Sequence, residues 1–295
     1  MFADPGRGAP MARALRHMVS ADDVVLEVGA GAGHFAVIAA QSGADHVYAI
    51  EPSPLLAIGP ELAARHGVGD RITWITETVE AVTLPRKATV LVGDLRGAHT
   101  LVGTAIASMN DARRRLCVDG VRELFVRDVL YAAPVDCGGT RVSDASTPIF
   151  GLDCAPVLRR TTVQPRGALK LRPENLLAAE TAWWTLEHQR ETPTDAHADL
   201  QFAVERDGVL DGIVVWFDAL LANGEWISNS PRVPVRPWGR QLLPLRTPID
   251  VRTGDDVSAS LRFRALDDQY VVRWSVDVTP PAGSGRIGTG ATHST

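Results

Sequence analysis

The run Leu26-Glu-Val-Gly-Ala-Gly-Ala-Gly33 carries the sharpest chemical signal in this chain. A strand entering Gly-x-Gly-x-Gly lets bare backbone approach a ligand where a side chain would collide. A helix after such a turn presents its free N–H groups to the same ligand. A dinucleotide fingerprint requires glycine three positions after Gly31; His34 stands there, which disfavours a nicotinamide or flavin enzyme. Glu27 beside the glycines would repel a pyrophosphate but suits a cation, and S-adenosylmethionine, with its ammonium and sulfonium, is such a ligand. Its expected cradle is Glu27, Gly29, Gly31 and Gly33. Glu51-Pro52 follow the second strand, where an acid accepts the ribose hydroxyls. Val79-Glu80 follow the third, placed to read an adenine ring and its amino group.

Asp94 ends the fourth strand and is the candidate to orient or deprotonate an acceptor. A strand-end loop cap is an equally good account of it. His99, five residues on, is a second candidate base near neutral pH, with a solvated loop histidine as the blander reading. Ligands of open α/β sheets bind outside the carboxyl ends of the strands. Any one of Glu27, Glu51, Glu80 and Asp94 is unremarkable there; the set, joined to the glycine turn, points to a site.

The elements that must position these residues are legible. Strands are expected at 23–28, 46–50, 72–75 and 88–92, with helices at 34–42 and near 54–66. Short apolar strands separated by helices predict a parallel, doubly wound, Rossmann-like α/β domain, taken as residues 1–134. From about residue 182 the pattern changes to alternating apolar and polar residues between turn signals such as Arg206-Asp-Gly. That predicts an antiparallel β domain over 135–278, a barrel or a sandwich, followed by a disordered Gly/Ser/Thr-rich tail at 279–295. Trp183 and Trp184, adjacent on a strand, should point to opposite faces. Arg113-Arg-Arg115 reads as a solvated helix face.

The 295 residues are 45% hydrophobic with a formal net charge of −5, enough chain for a sizeable core and no electrostatic reason to expect nucleic acid. No apolar run is long enough to span a membrane and no secretory signal opens the chain. The 3 cysteines, Cys117, Cys137 and Cys154, fit free thiols in a reducing cytoplasm better than a disulfide frame or zinc site, and no metal is expected.

These residues, taken together, resemble the protein arginine methyltransferases, class I S-adenosylmethionine-dependent enzymes with a Rossmann-like half followed by a β-barrel half. The likeness runs through Met1-Phe-Ala-Asp4 and Arg7, Val25 to Gly33, Ser42-Gly-Ala44, Val47 to Glu51 and Val79-Glu80 through Leu84-Pro85. It continues through Phe150-Gly-Leu-Asp153, Trp216-Phe-Asp218, Ser228-Asn-Ser-Pro231 and Pro237-Trp238 followed by Gln241. The resemblance implies that Arg7 pairs with the cofactor carboxylate. It also implies that a dimerisation-arm segment, at about 140–172, builds a homodimer.

The departures from that pattern shape the expected acceptor. The family's catalytic loop carries two glutamates that grip the target guanidinium; the matching positions here are Asp94 and Gly103, and the Thr-His-Trp loop is Arg236-Pro-Trp238. A guanidinium is always charged and presents five donors, so holding it without paired carboxylates is costly. Arg96 and Arg236 add positive charge, and Trp238 is expected either to wall the acceptor pocket or, equally, to pack as a barrel-core aromatic. The expected activity is therefore methyl transfer to the oxygen or nitrogen of a non-arginine small molecule or modified peptide, as in a biosynthetic pathway. A peptidyl-arginine methyltransferase is the first alternative, and an inactive cofactor-binding partner subunit the second.

Overall fold

The computed structural model describes residues 4–138, 151–153, 164–167, 170–234, 236–266 and 269–294. The chain opens with α1, Pro5–Met18. Asp4 caps it, its side chain accepting from the Arg7 N–H at 2.8 Å, and Pro5 supplies a first-turn φ without wasting a donor. Arg7, Met11, Leu15 and Met18 fall on one buried stripe, so this helix must pack.

Then follow β1 (Val24–Val28), α2 (His34–Gln41), β2 (His46–Ile50), α3 (Gly59–Arg65), β3 (Ile72–Ile75), β4 (Ala88–Gly93), α4 (Ala105–Leu116) and β5 (Cys117–Glu123). The strands form a five-stranded sheet ordered β3-β2-β1-β4-β5, with every pairing parallel. Central β1 is buried at each position, as a strand covered on both faces must be. The helix expected near 54–66 is instead a 3₁₀ turn, Pro54–Ile58, followed by α3. Pro60 has no N–H for the backbone bond that would join the two.

The second half holds β6 (Phe125–Val135), β7 (Arg166–Gly167), β8 (Thr181–Glu187), β9 (Ala196–Ala203), β10 (Gly208–Leu221), β11 (Trp226–Ser228), β12 (Gln241–Val251), β13 (Asp256–Leu266), β14 (Gln269–Thr279) and β15 (Thr289–Ser294). One antiparallel sheet runs β7-β12-β10-β6-β8, with β11 added to β10; the other runs β15-β14-β13-β9. Phe217, Val215, Leu261, Phe263 and Trp274 fill the space between them in a core continuous with Met11 and Leu15 of α1. The fold is thus the expected Rossmann-like half with an antiparallel β-barrel half.

Three details differ from the sequence reading. First, β6 pairs with β10 and β8, so the barrel begins near residue 125 rather than 135. Second, residues 289–294 of the tail form β15 on the edge of β14, because backbone pairing needs no apolar side chain. Third, Trp183 and Trp184 both pack partly buried against the barrel core. The register slips by one residue between Leu130↔Trp184 and Tyr131↔Ala182, a bulge that places Trp183 opposite no partner and redirects it onto Phe263. Most of the expected dimerisation arm, and Cys154, lie outside the described residues.

Candidate active site

Gly29, Gly31 and Gly33 adopt φ of 75°, 56° and 75°, a left-handed region that favours glycine. A Cβ on Gly29 would lie 2.3 Å from Leu95 Cδ2 and one on Gly33 2.2 Å from Trp74 Cζ3, whereas one on Gly31 would find its nearest neighbour at 3.8 Å. Gly29 and Gly33 are therefore demanded by internal packing as well as conformation. Gly31 alone keeps the open face that suits a ligand. The Gly29 and Ala30 N–H groups donate to Ile50 O at 2.9 and 3.0 Å, tying the turn to β2.

Glu51 accepts from the Gly31 N–H at 3.0 Å and the Ser53 N–H at 2.9 Å, with the exposed Pro52 between them in sequence. Glu27 is 3% exposed, near the start of α2, and its Oε2 has no hydrogen-bond partner. Burial, with nearby Glu51 adding, pushes its carboxyl up to about 8 against the pull of the Ala36 N–H and Arg7. A buried carboxylate oxygen without a donor beside an open glycine is chemically matched to an ammonium, so the residues present fit S-adenosylmethionine.

Val79 and Glu80 sit in a 3₁₀ turn, Val79–Ala81. Ser108 Oγ of α4 donates to Glu80 Oε1 at 2.7 Å, and Arg115 donates to Val79 O at 2.7 Å and Val82 O at 2.8 Å. Arg115 thus braces this turn, and Arg113 pairs with buried Glu123 at 2.5 Å; only Arg114 fits the solvated face expected of all three.

Asp94 lies just past β4 with its side chain 3% exposed. Its Oδ2 accepts from Arg7 Nε at 2.7 Å and Trp238 Nε1 at 3.1 Å; its Oδ1 accepts from Arg96 Nη1 at 3.1 Å. Arg96 in turn directs Nε and Nη2 at the two oxygens of Asp128, at 3.0 and 2.8 Å, and lies 3.6 Å from the centroid of the Phe125 ring. Burial works against charge on Asp128, but Arg96 and then His188 outweigh it and hold the carboxyl well below the ordinary range. Thr100 Oγ1 also donates to Asp128 at 2.5 Å, and His188 Nε2 lies 3.1 Å from Asp128 Oδ1 and 3.4 Å from Arg96 Nη2.

This arrangement corrects four expectations. Arg96 is a buried strut with every nitrogen engaged, so it does not face an acceptor. Arg236 reaches across the Gly6 backbone to Asp4 Oδ1 at 3.4 Å and is likewise neutralised. Trp238 is 6% exposed, packed edge-on against Phe217; it supports Asp94 rather than walling an open pocket. His99 is fully buried against Phe263 and donates Nε2–H to Gln241 Oε1 at 2.7 Å. Burial pulls it down to about 4, despite the Gln241 bond, so it is a neutral interdomain contact and no base. His34, also lowered to about 4 by burial and by Arg7, opens α2 as a neutral ring.

Residues the sequence reading missed are Asp128, Thr100, His188, Asn229 and the pairing role of Asp4. Asn229 holds the loop that follows β4 to the barrel: its Nδ2 donates to Ala98 O at 2.8 Å and to Gly239 O, and its Oδ1 accepts the Phe217 N–H at 2.8 Å. It sat in plain view inside the Ser-Asn-Ser-Pro landmark; Asp128 carried no signal beyond an acid in a strand. Gly103, φ 69°, has open space on its Cβ side and borders a cavity of about 270 Å³ shared with Gln241, Tyr270 and Val272.

A parallel sheet with this glycine turn, acids at the ends of β1 and β2, and an appended antiparallel barrel define the class I S-adenosylmethionine-dependent methyltransferase fold in its two-domain form. No family model matches the sequence. Curated relatives and solved structures do. A probable histone-arginine methyltransferase, CARM1, of Oryza sativa subsp. indica is 28% identical over 264 residues, 83% of this chain and 50% of the relative. The chain thus spans half the length of that relative. The arginine N(omega)-methyltransferase of Streptomyces achromogenes subsp. streptozoticus is 27% identical over 271 residues, 88% of this chain and 74% of that one. The enzyme–prozyme heterotetrameric complex of PRMT1 from Trypanosoma brucei, solved with AdoHcy, superposes with a TM-score of 0.84 at 17% identity, over 100% of this chain and 96% of that one. The homologues and structural neighbours of the chain are protein arginine methyltransferases, and it is similar to that family in sequence and fold.

Proposed function

We propose that the chain is an S-adenosylmethionine-dependent methyltransferase acting on a guanidino nitrogen of arginine, in a peptide or as the free amino acid. The observation that carries the cofactor half is the buried, unpartnered Oε2 of Glu27 near the open face of Gly31. The cofactor supplies an activated methyl carbon. Glu27 would take its ammonium and the terminal nitrogens of Arg7 its carboxylate. Glu51 would take the ribose, and Val79 with Glu80 the adenine. Asp94 would hold and orient the acceptor nitrogen.

The acceptor half is supported by the names of the relatives and by the pairing of charges. The expectation of a non-arginine acceptor leaned on surplus positive charge from Arg96 and Arg236. Each is already matched to aspartate, Arg96 to Asp94 and Asp128 and Arg236 to Asp4, so that repulsion is removed.

One observation favours the non-guanidine acceptor as a second reading. A carboxylate offers about four lone-pair sites, and Arg7, Trp238 and Arg96 already use three on Asp94. With Gly103 contributing none, a guanidinium would be gripped through a single bond. Incubation with isotopically labelled methyl donor, read by mass shift, separates the two: labelling of an arginine peptide or free arginine supports the first, and labelling confined to acceptors lacking a guanidine refutes it. A folded sample that fails to bind S-adenosylhomocysteine in calorimetry defeats both. A homodimer built through the arm-like segment, and a cytoplasmic setting that suits the buried free thiol of Cys117, complete this reading.

A further inference from the structure

We infer that Arg96 and Asp128 form a strut that positions Asp94 from the barrel, so that the placement of the acceptor-facing carboxylate is set by strand β6 and not by the Rossmann-like sheet that carries it. This deepens the methyltransferase reading and rests on it. Asp94 stands on a loop, and a loop carboxylate is aligned only if donors on fixed elements hold it. Of its three donors, Arg96 is itself held on every side. Its Nε and Nη2 meet the two oxygens of Asp128 at 3.0 and 2.8 Å, its remaining terminal nitrogen meets Asp94 at 3.1 Å, and the Phe125 ring covers one face of the guanidinium.

Asp128 is a rigid reference point. It is fully buried in β6, whose neighbours β10 and β8 pair with it on both sides (Asp128↔Ala219, Asp128↔Leu186). Thr100 donates to the same carboxylate, so Asp128 fixes the loop that bears Asp94 at two points, 96 and 100. The planar fork is essential to this geometry. A lysine at 96 keeps the charge but, as a single ammonium on a flexible stem, cannot bridge two carboxylates in fixed orientation.

The strut has a different signature from a purely stabilising ion pair. Calorimetry compares two ligands: S-adenosylhomocysteine, and a donor analogue carrying a protonated amine in place of the methylsulfonium. Only the second places a cation where Asp94 must be aligned. For Arg96→Lys and for Asp128→Asn, S-adenosylhomocysteine affinity should stay within about threefold of wild type, while the amine analogue weakens by about tenfold or more. Should either variant fail to fold, Arg96→Met/Asp128→Leu removes both charges together, a change that buried pairs tolerate, and should give the same selective loss. Equal weakening of both ligands, or no change in either, overturns the strut alone. Wild type that binds neither ligand overturns the methyltransferase reading and the strut with it.

Discussion

Replacing Glu27 with glutamine removes a charge while keeping shape, and the structure sets the size of the effect. The Glu27 carboxyl rises from an ordinary 4.5 to about 8, chiefly through burial. Between those values the folded state binds a proton that the unfolded state has released, so stability is full below about pH 4.5 and declines as pH rises towards 8. At about 1.4 kcal/mol per unit, wild type should lose roughly 3 kcal/mol between about pH 5 and pH 7.5 from this group. Other groups titrate too, but they are common to both proteins, so the difference between wild type and Glu27→Gln isolates Glu27. Urea unfolding across that range should show the variant gaining on wild type as pH rises, with the gap closing near pH 4.5. Parallel curves would refute the reasoning. Binding supplies a second check. An ammonium placed beside Glu27 favours its ionised form, so S-adenosylhomocysteine binding near pH 7 should release a proton in wild type and none in Glu27→Gln, read from calorimetry in buffers of different ionisation enthalpy.

Other perturbations give equally definite outcomes. Gly103→Glu supplies the second carboxylate into open space; its left-handed backbone costs about 1–2 kcal/mol of stability, and a new charged hydrogen bond should raise turnover of an arginine peptide about tenfold. No gain with the peptide would argue for the non-guanidine acceptor. Asn229→Ala strips the Phe217 N–H and Ala98 O of partners, costing about 1–3 kcal/mol and speeding amide exchange in residues 94–103. Unchanged exchange there would mean the loop is held elsewhere. Deleting residues 285–295 removes β15 and uncovers the edge of β14, so the melting temperature should fall and aggregation rise; an indifferent truncation would contradict the pairing.

Much of the first half was legible because its signals are local. β2 and β3 begin and end where the sequence places them, at His46–Ile50 and Ile72–Ile75: β2, covered on both faces, reads as a nearly continuous apolar run, and the edge strand β3 is marked by its β-branched and aromatic residues. The glycine turn was legible for the same reason, although packing against Leu95 and Trp74 explains two of its glycines as directly as ligand approach does. What could not be read was the partner of each charge. Arg96 and Arg236 looked like free cations because Asp128 and Asp4 lie 32 and 232 residues away in the chain. His99 looked solvated for a similar reason: its burial depends on Gln241 and Phe263 from the barrel. The bulge at Trp183 was equally invisible, since strand alternation assumes one partner per residue and the register slip breaks that assumption.

The same long-range pairing explains why Asp94 belongs to both domains at once. Its donors arrive from α1 through Arg7, from the barrel loop through Trp238, and from β6 by way of Arg96. Losing Arg7 or Arg96 strips the buried carboxylate of a cationic partner, which costs about 3–5 kcal/mol. Losing Trp238 removes a neutral donor worth about 1–3 kcal/mol, so the loop is held while the domains stay docked. A loop fixed from three sides has little freedom to reshape itself around different acceptors. On the proposed reading, in which Asp94 holds the acceptor, its choice falls to groups other than this fixed loop, and the open space at Gly103 beside Gln241 and Tyr270 is where the Gly103→Glu variant tests that consequence.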